Sequence, residues 1–386
     1  MEKIVIYNVK AVLTANILNG ATVVVEQGKI IAITQEKVNE SNCYLVDGQG
    51  RYLSPGFIDL HTHGRMMADT MDNDRASLVK ISRDLLQHGV TGYLITTRAM
   101  PLDYTLKVLK TIVDYIKDPD PKGARPLGIY LEGPYLSDEK KGAQTLDNDD
   151  VVSIAGIKAL LDAGEGHVKV VALAPELAGA DEAIKIITSQ GVIASIAHTM
   201  STYEQGLAAI EAGATLATHT FNAMRQLDHK EPGVIAACLN DSRVICEAIV
   251  DGYHLHPAIV QLMYQVKGAG KIALISDSVA AVGIPDGDYD YGGRQFTVSQ
   301  GTVRLADGGL AGSLLSLDAA VRNVRKFTGC SLSTAVEMAS LSPAKVIKQA
   351  NEIGSLEVGK TADLIIFDDD IRIYGAVVNG KYQQIG

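Results

Sequence analysis

The chain has 386 residues, with 35 Lys+Arg against 45 Asp+Glu and a formal net charge of -10. That length admits two or three domains, or one large barrel with an accessory domain. A hydrophobic share of 47% supports a sizeable core and excludes disordered and disulfide-scaffold classes. The acidic balance argues against a nucleic-acid or anionic-membrane partner. Cys43, Cys238, Cys246 and Cys330 form no CxxC pair and read as free thiols of a reducing compartment. The opening MEKIVIYNVK lacks the continuous apolar segment of a signal peptide, and no apolar run reaches membrane-spanning length. A cytoplasmic location is expected.

The first fifty residues read as β. Runs at 3–9, 22–26 and 29–34 are broken by Asn19-Gly20 and by Gln27-Gly28-Lys29, which are hairpin signals. Strand-like runs return at 363–368 and 371–378, with Asn379-Gly380 as a turn. Both termini are therefore expected to build one small β-sandwich domain, residues 1–54 and 352–386, around a central domain at 55–351.

The centre alternates. Short runs rich in Ile, Val, Ala and Leu fall at 56–61, 90–96, 127–132, 168–173, 192–197, 215–219, 244–250 and 271–276, as buried parallel strands should. Helix-compatible stretches lie between and after them, including 76–88, 104–117, 181–190, 202–212 and 313–327, several of them ending near Gly89, Gly191 or Gly213. Eight such units predict a (β/α)8 TIM barrel. An open doubly wound sheet is the competing fold, but no GxGxxG follows the first strand.

A barrel gathers the C-terminal ends of its strands on one face, where active sites lie. Strand one ends in His61-Thr62-His63, strand three in Glu132, strand five in His198, strand six in His219 and strand eight in Asp277. His61 and His63 are two apart, which puts both imidazoles on one side of a strand. Neutral imidazoles with a carboxylate suit a divalent transition metal: zinc, iron, manganese or cobalt. Asp277 could ligate the metal, move protons, or do both in turn. His254, after strand seven, reads as a substrate contact. His88, His167, His229 and His256 lack this context and read as surface or loop residues.

These segments resemble the amidohydrolase superfamily, and within it the N-acetylglucosamine-6-phosphate deacetylases. PGFIDLHTHG (55–64), LEGPY (131–135), LAPE (173–176), AHT (197–199), THTFNAM (218–224), EPG (231–233), DGYHLHP (251–257), SDS (276–278) and LAGS (310–313) carry the resemblance over nearly the full length. It implies a metal held by Glu132, His198 and His219. Because His61 and His63 are kept, it allows two metals per subunit with Glu132 bridging. It gives Asp277 the role of catalytic base, first accepting a proton from the attacking water and then passing it to the leaving amine. It also implies sugar-phosphate contacts from Asn222, the Ala223 backbone and His254, and further substrate contacts from Ala143 and Leu310. Finally, it implies a homodimer in which Lys230 reaches the neighbouring subunit's site.

Some positions depart from the family pattern. Lys230 stands where the family usually has Arg and cannot grip phosphate bidentately. Arg65-Met66-Met67 replaces a glycine-rich stretch, strand two ends in Thr97-Arg98, and Ser276-Asp277-Ser278 replaces Thr-Asp-Ala. Bulk and charge are thus expected near the site, with Lys230, His254, Arg65 and Arg98 as candidates for a local positive face. The expected reaction is deacetylation of N-acetylglucosamine 6-phosphate. Alternatives are the same chemistry on N-acetylgalactosamine 6-phosphate or another N-acyl compound, or a cyclic-amide hydrolase using a carboxylated lysine, for which Lys169 is the candidate. A binding protein without catalysis would lack one of the ligands or Asp277, and none is missing.

Overall fold

The computed structural model describes residues 3–36, 42–144 and 151–385. Eight parallel strands form one sheet in sequential order: Phe57–Thr62, Val90–Thr96, Arg125–Glu132, Val168–Leu173, Ile193–Ile196, Leu216–Ala217, Ile245–Ala248 and Ile272–Leu274. The eight expected strands are all present, with the fifth to eighth shorter than their apolar runs. Nearly every residue on them is buried, because helices cover the outside and side chains fill the inside. Each fully buried aliphatic side chain contributes about 1.5–3 kcal/mol.

The sheet closes beyond the regular strands. Asp277 N–H donates to the His61 carbonyl at 2.8 Å, and His63 N–H donates to the Ser278 carbonyl at 2.8 Å. Ser276 N–H also donates to Asp59 Oδ1 at 3.1 Å. The seam of the barrel therefore carries three of the expected site residues, locked together through the backbone.

The helices start where their caps allow. Asp74 accepts from Ala76 N–H ahead of Arg75–Gln87, and Thr202 with Gln205 forms a capping box ahead of Tyr203–Ala212. Gly89, Gly191 and Gly213 all have positive φ after the helices they follow. The expected helix at 313–327 begins only at Leu317. Ser313 is engaged instead: its N–H donates to the Asp277 carbonyl at 2.9 Å. Gly312 permits this approach at φ +81°, since a Cβ there would lie 2.4 Å from Val279 Cγ1.

The terminal segments form a second sheet with its own core of Ile4, Ile6, Val23, Val25, Leu53, Leu364 and their neighbours. Strands Lys3–Val12, Ile17–Glu26 and Lys29–Thr34 join Tyr52–Pro55 and the C-terminal strands Leu364–Phe367, Ile373–Val378 and Lys381–Gln384. Backbone bonds from Gly359 N–H to the Ile30 carbonyl and from Ala362 N–H to the Gly28 carbonyl fold it over that core. Gln27-Gly28 and Asn379-Gly380 turn with φ positive at both residues, as type I′ two-residue hairpins require. Asn19-Gly20 does not turn. It lies inside a strand, where the register shifts between Val9 opposite Ala21 and Ala11 opposite Leu18, so its freedom is spent on a bulge.

A three-stranded antiparallel sheet, Gly287–Tyr291, Arg294–Ser299 and Thr302–Leu305, follows barrel strand eight and was not expected.

Candidate active site

The four imidazoles of the strand-end motifs converge on Glu132. His61 Nε2 lies 3.2 Å from His63 Nε2, and His198 Nε2 lies 3.0 Å from His219 Nε2. Glu132 Oε1 is 3.2 Å from His198 Nε2, 3.1 Å from His219 Nε2 and 3.4 Å from His61 Nε2. Its Oε2 is 3.3 Å from His63 Nε2 and accepts a hydrogen bond from Gln144 Nε2. The donors fall into two groups sharing Glu132: His61 with His63, and His198 with His219. All of these residues are buried.

Asp277 stands over the first group, with Oδ1 3.4 Å from His63 Nε2 and 3.6 Å from His61 Nε2. His198 and His219 have φ of 41° and 27°, and Asp277 has 48°. The chain leaves each of these strands through the left-handed region, which turns the side chain inward at a cost of order 1–3 kcal/mol per residue. Glu176 of the LAPE segment fixes the loop after His198. It accepts from Thr199 Oγ1 at 2.5 Å, Met200 N–H at 2.5 Å and Ser201 Oγ at 2.8 Å. His198 Nδ1 donates to the Lys140 carbonyl at 2.7 Å, which fixes the ring with Nε2 facing Glu132.

Charge in this buried site must be compensated. Burial opposes protonation of His61, but the carboxylates of Glu132 and Asp277 outweigh it and hold the ring protonated well above the ordinary histidine range. Burial likewise opposes ionisation of Glu132. The His61 charge and hydrogen bonds from His198 and His219 overcome it and keep the carboxyl well below the ordinary range. Two imidazole nitrogens 3.0 Å apart cannot both present lone pairs without a proton or cation between them. Imidazole and carboxylate donors at this spacing fit one or two divalent transition-metal ions, which would take the place of those protons.

The donor set opens into a cavity of about 340 Å³. Asp277, Asn222, Ala223, His254, Ala143 and Leu310 all line it beside the donors. His254 is held by Asp251, whose Oδ2 accepts from Nδ1 at 2.6 Å. Lys230 does not line the cavity of its own chain and stands on an exposed loop. Arg98 lines the wall and pairs with Asp69 at 3.3 Å.

Arg65 departs from expectation. Its side chain is buried and its Nε donates to Asp84 Oδ2 at 2.5 Å, so it adds no positive charge to the cavity wall. Met66 and Met67, with φ of 55° and 54°, make the tight turn between the short strands Gly64–Arg65 and Ala68–Asp69 and do not line the cavity either. Lys169 lines a separate hollow of about 750 Å³ with residues at the starts of barrel strands four and five. That is the opposite end of the barrel from the donors, which removes the carboxylated-lysine reading.

Three participants escaped the sequence reading. Arg294, from the inserted sheet, lines the cavity near Arg98. The Gly292-Gly293 pair inside the alternating run at 287–299 was the available signal. Gln144 carried no signal. Glu247, an acid within the apolar strand Ile245–Ala248, could have been questioned as a buried charge.

The chain matches the Amidohydrolase family model over residues 52–384. It is 35% identical over 356 residues to the N-acetylglucosamine-6-phosphate deacetylase of Lysinibacillus sphaericus, covering 92% of this chain and 91% of that one. It is 39% identical over 329 residues to the N-acetylgalactosamine-6-phosphate deacetylase of Escherichia coli, covering 85% and 87%. Its fold superposes on N-acetylglucosamine-6-phosphate deacetylase from Pasteurella multocida with a TM-score of 0.93, at 30% identity and covering 99% and 100% of the two chains. It also superposes on an aspartate-to-alanine variant of the Mycobacterium smegmatis enzyme in complex with N-acetyl-D-glucosamine-6-phosphate. There the TM-score is 0.90, at 30% identity with 99% of each chain covered. The chain belongs to the amidohydrolase family.

Proposed function

We propose that the chain is a metal-dependent hydrolase that removes the acetyl group from N-acetylglucosamine 6-phosphate, giving glucosamine 6-phosphate and acetate. The observation that carries this reading is Asp277 Oδ1 standing 3.4 Å from His63 Nε2 above a carboxylate shared by two pairs of imidazoles. The sugar is supported by the substrate bound to the Mycobacterium smegmatis relative.

Glu132, His198 and His219 would hold one metal ion, and His61, His63 and Glu132 a second. A bound divalent ion supplies Lewis acidity, polarising the amide carbonyl and bringing the acidity of water toward neutrality. The protein groups do the rest. Asp277 accepts the proton of the attacking water and returns it to the departing amine nitrogen, acting as base and then as acid. Asn222, the Ala223 backbone and His254 hold the phosphate end, with Asp251 fixing the His254 ring. Ala143 and Leu310 pack against the substrate.

The active form is a homodimer in which Lys230 reaches the partner's phosphate, and it works in the cytoplasm. The four cysteines, none of them in a disulfide, and the exposed position of Lys230 support this reading. The second reading is the galactosamine epimer. The 39% identity to the Escherichia coli N-acetylgalactosamine-6-phosphate deacetylase favours it, being above the 35% to the Lysinibacillus sphaericus enzyme.

Acetate release from a panel of N-acetyl sugars, with and without phosphate and in both epimers, tests the proposal. Turnover of N-acetylglucosamine 6-phosphate with the highest kcat/KM is expected. Preference for the galactose epimer would install the second reading, and no acetate from any member would reject both.

A further inference from the structure

Resting on the metal-dependent reading above, we propose that Glu247 is a positioning residue that enables the His61–His63 pair to hold a cation beside the Glu132–His198–His219 group. Glu247 lies on barrel strand seven among Ile245, Cys246 and Ala248, with no exposed surface. Its Oε2 accepts two hydrogen bonds, from His61 Nδ1 at 3.2 Å and from the His219 backbone N–H at 3.1 Å. Its Oε1 is buried without a hydrogen-bond partner. A half-satisfied carboxylate in an apolar strand costs stability, and an aliphatic side chain would pack there without that cost.

The carboxylate earns its place through the His61 ring. A carboxylate can only accept, so Nδ1 keeps its proton, and it is Nε2 that gives up its proton and turns a lone pair to an incoming metal ion. That Nε2 faces His63 Nε2 at 3.2 Å and Glu132 Oε1 at 3.4 Å, the position of a metal ligand. Pairing with a carboxylate also raises the basicity of the ring toward a metal. The other rings are treated differently. His198 Nδ1 meets the neutral Lys140 carbonyl, and the buried Nδ1 atoms of His63 and His219 have no hydrogen-bond partner. Among the described residues, His61 is therefore the donor whose orientation is set by a charge. The same oxygen joins strand one to the backbone of strand six and ties the two donor groups together.

The test is metal binding by chelator-stripped protein titrated with cobalt(II), followed by elemental analysis and by the visible spectrum of the bound ion. The native protein should bind two equivalents. Glu247→Gln, which keeps the shape and one acceptor, should weaken one of the two sites by about 10- to 100-fold and leave the other intact. Glu247→Leu should lose that site, and His61→Ala should lose the same one. Adding Glu247→Gln to His61→Ala should change nothing further in binding. If Glu247→Leu does not fold, the Glu247→Gln and His61→Ala arms still decide.

Full affinity for two equivalents in Glu247→Gln would overturn the proposal. So would an equal effect of Glu247→Gln with and without His61, which would assign Glu247 to the His219 backbone instead. Native protein binding a single equivalent untouched by His61→Ala would also overturn it. None of these measurements uses turnover, so a wrong sugar assignment would leave them unaffected.

Discussion

His198 Nε2 and His219 Nε2 meet at 3.0 Å, both against the same oxygen of Glu132. Such a contact is favourable only with positive charge between the rings, and a metal ion would supply it. Removing metal by chelation should lower the melting temperature, and returning zinc or manganese should restore it. An ion at a thousand times its dissociation constant stabilises the fold by about 4 kcal/mol. Differential scanning fluorimetry reads the shift, and identical melting with and without chelator would contradict a metal bound only by the folded state.

Asp277→Asn should retain metal and fold but lose proton transfer, cutting kcat by about 10²- to 10⁴-fold. Elemental analysis and steady-state kinetics on one preparation separate the two effects. Turnover near the native rate would remove Asp277 from the mechanism.

Lys230 offers a test of the assembly. Lys230→Ala should raise KM for the phosphorylated substrate while leaving the unphosphorylated sugar little changed. Co-expression of Asp277→Asn chains with Lys230→Ala chains should regain activity. In a mixed dimer one site keeps its own Asp277 and receives an intact Lys230 from the partner. Mixtures no better than the sum of the separate variants would place Lys230 outside the neighbouring site.

Buried Arg65 pairs with Asp84, whose side chain is 21% exposed, and the Arg65 Nη atoms are buried without other hydrogen-bond partners. Asp84→Asn removes the neutralising charge and should cost about 3–5 kcal/mol, the usual penalty for stranding a buried ion. Since neither residue lines the cavity, kcat/KM per folded molecule should hold. Urea denaturation and kinetics give the two readings, and a large loss of kcat/KM would return Arg65 to the site.

Asp318 makes the fold acid-sensitive away from the site. Burial raises its pKa, but hydrogen bonds from His88 and Ser316 and the charges of His88 and Arg322 prevail and hold it well below the ordinary 3.8. A carboxylate depressed in the folded state contributes stability above its unfolded pKa and loses it as pH falls through the folded one. The Asp318 contribution should therefore be complete at neutral pH and decline only below about pH 4. Stability curves of Asp318→Asn and native protein should converge as the pH drops through that range. A constant difference down to pH 2 would contradict the assignment.

The barrel was legible because buried parallel strands need apolar runs, and eight of them stood at regular intervals. The donors were legible because an ionisable residue ending such a run is costly unless used, which is why Glu132 and His198 stood out. What stayed hidden depends on long-range contact. Asn19-Gly20 has the chemistry of a turn, and only pairing with Val9 and Ala11 makes it a bulge. Arg65 is adjacent in sequence to the HxHG motif, yet Asp84, nineteen positions on, takes its charge. The inserted sheet sets Tyr289, Tyr291, Phe296 and Val298 on one partly buried face and polar residues on the other about Gly292-Gly293, so its signal was the alternation of a hairpin, weaker than the continuous apolar runs of the barrel.

The left-handed backbone at His198, His219 and Asp277 sets folding against chemistry at the same three positions. Glycine alone tolerates those angles freely, so His219→Gly should be less destabilised than His219→Ala. Random mutagenesis screened for heat resistance in the presence of a chelator, where metal cannot offset the strain, would accordingly tend to erode these positions first. The most durable metal-free versions of this barrel would be inert ones, and a programme to harden the protein should hold these three residues fixed.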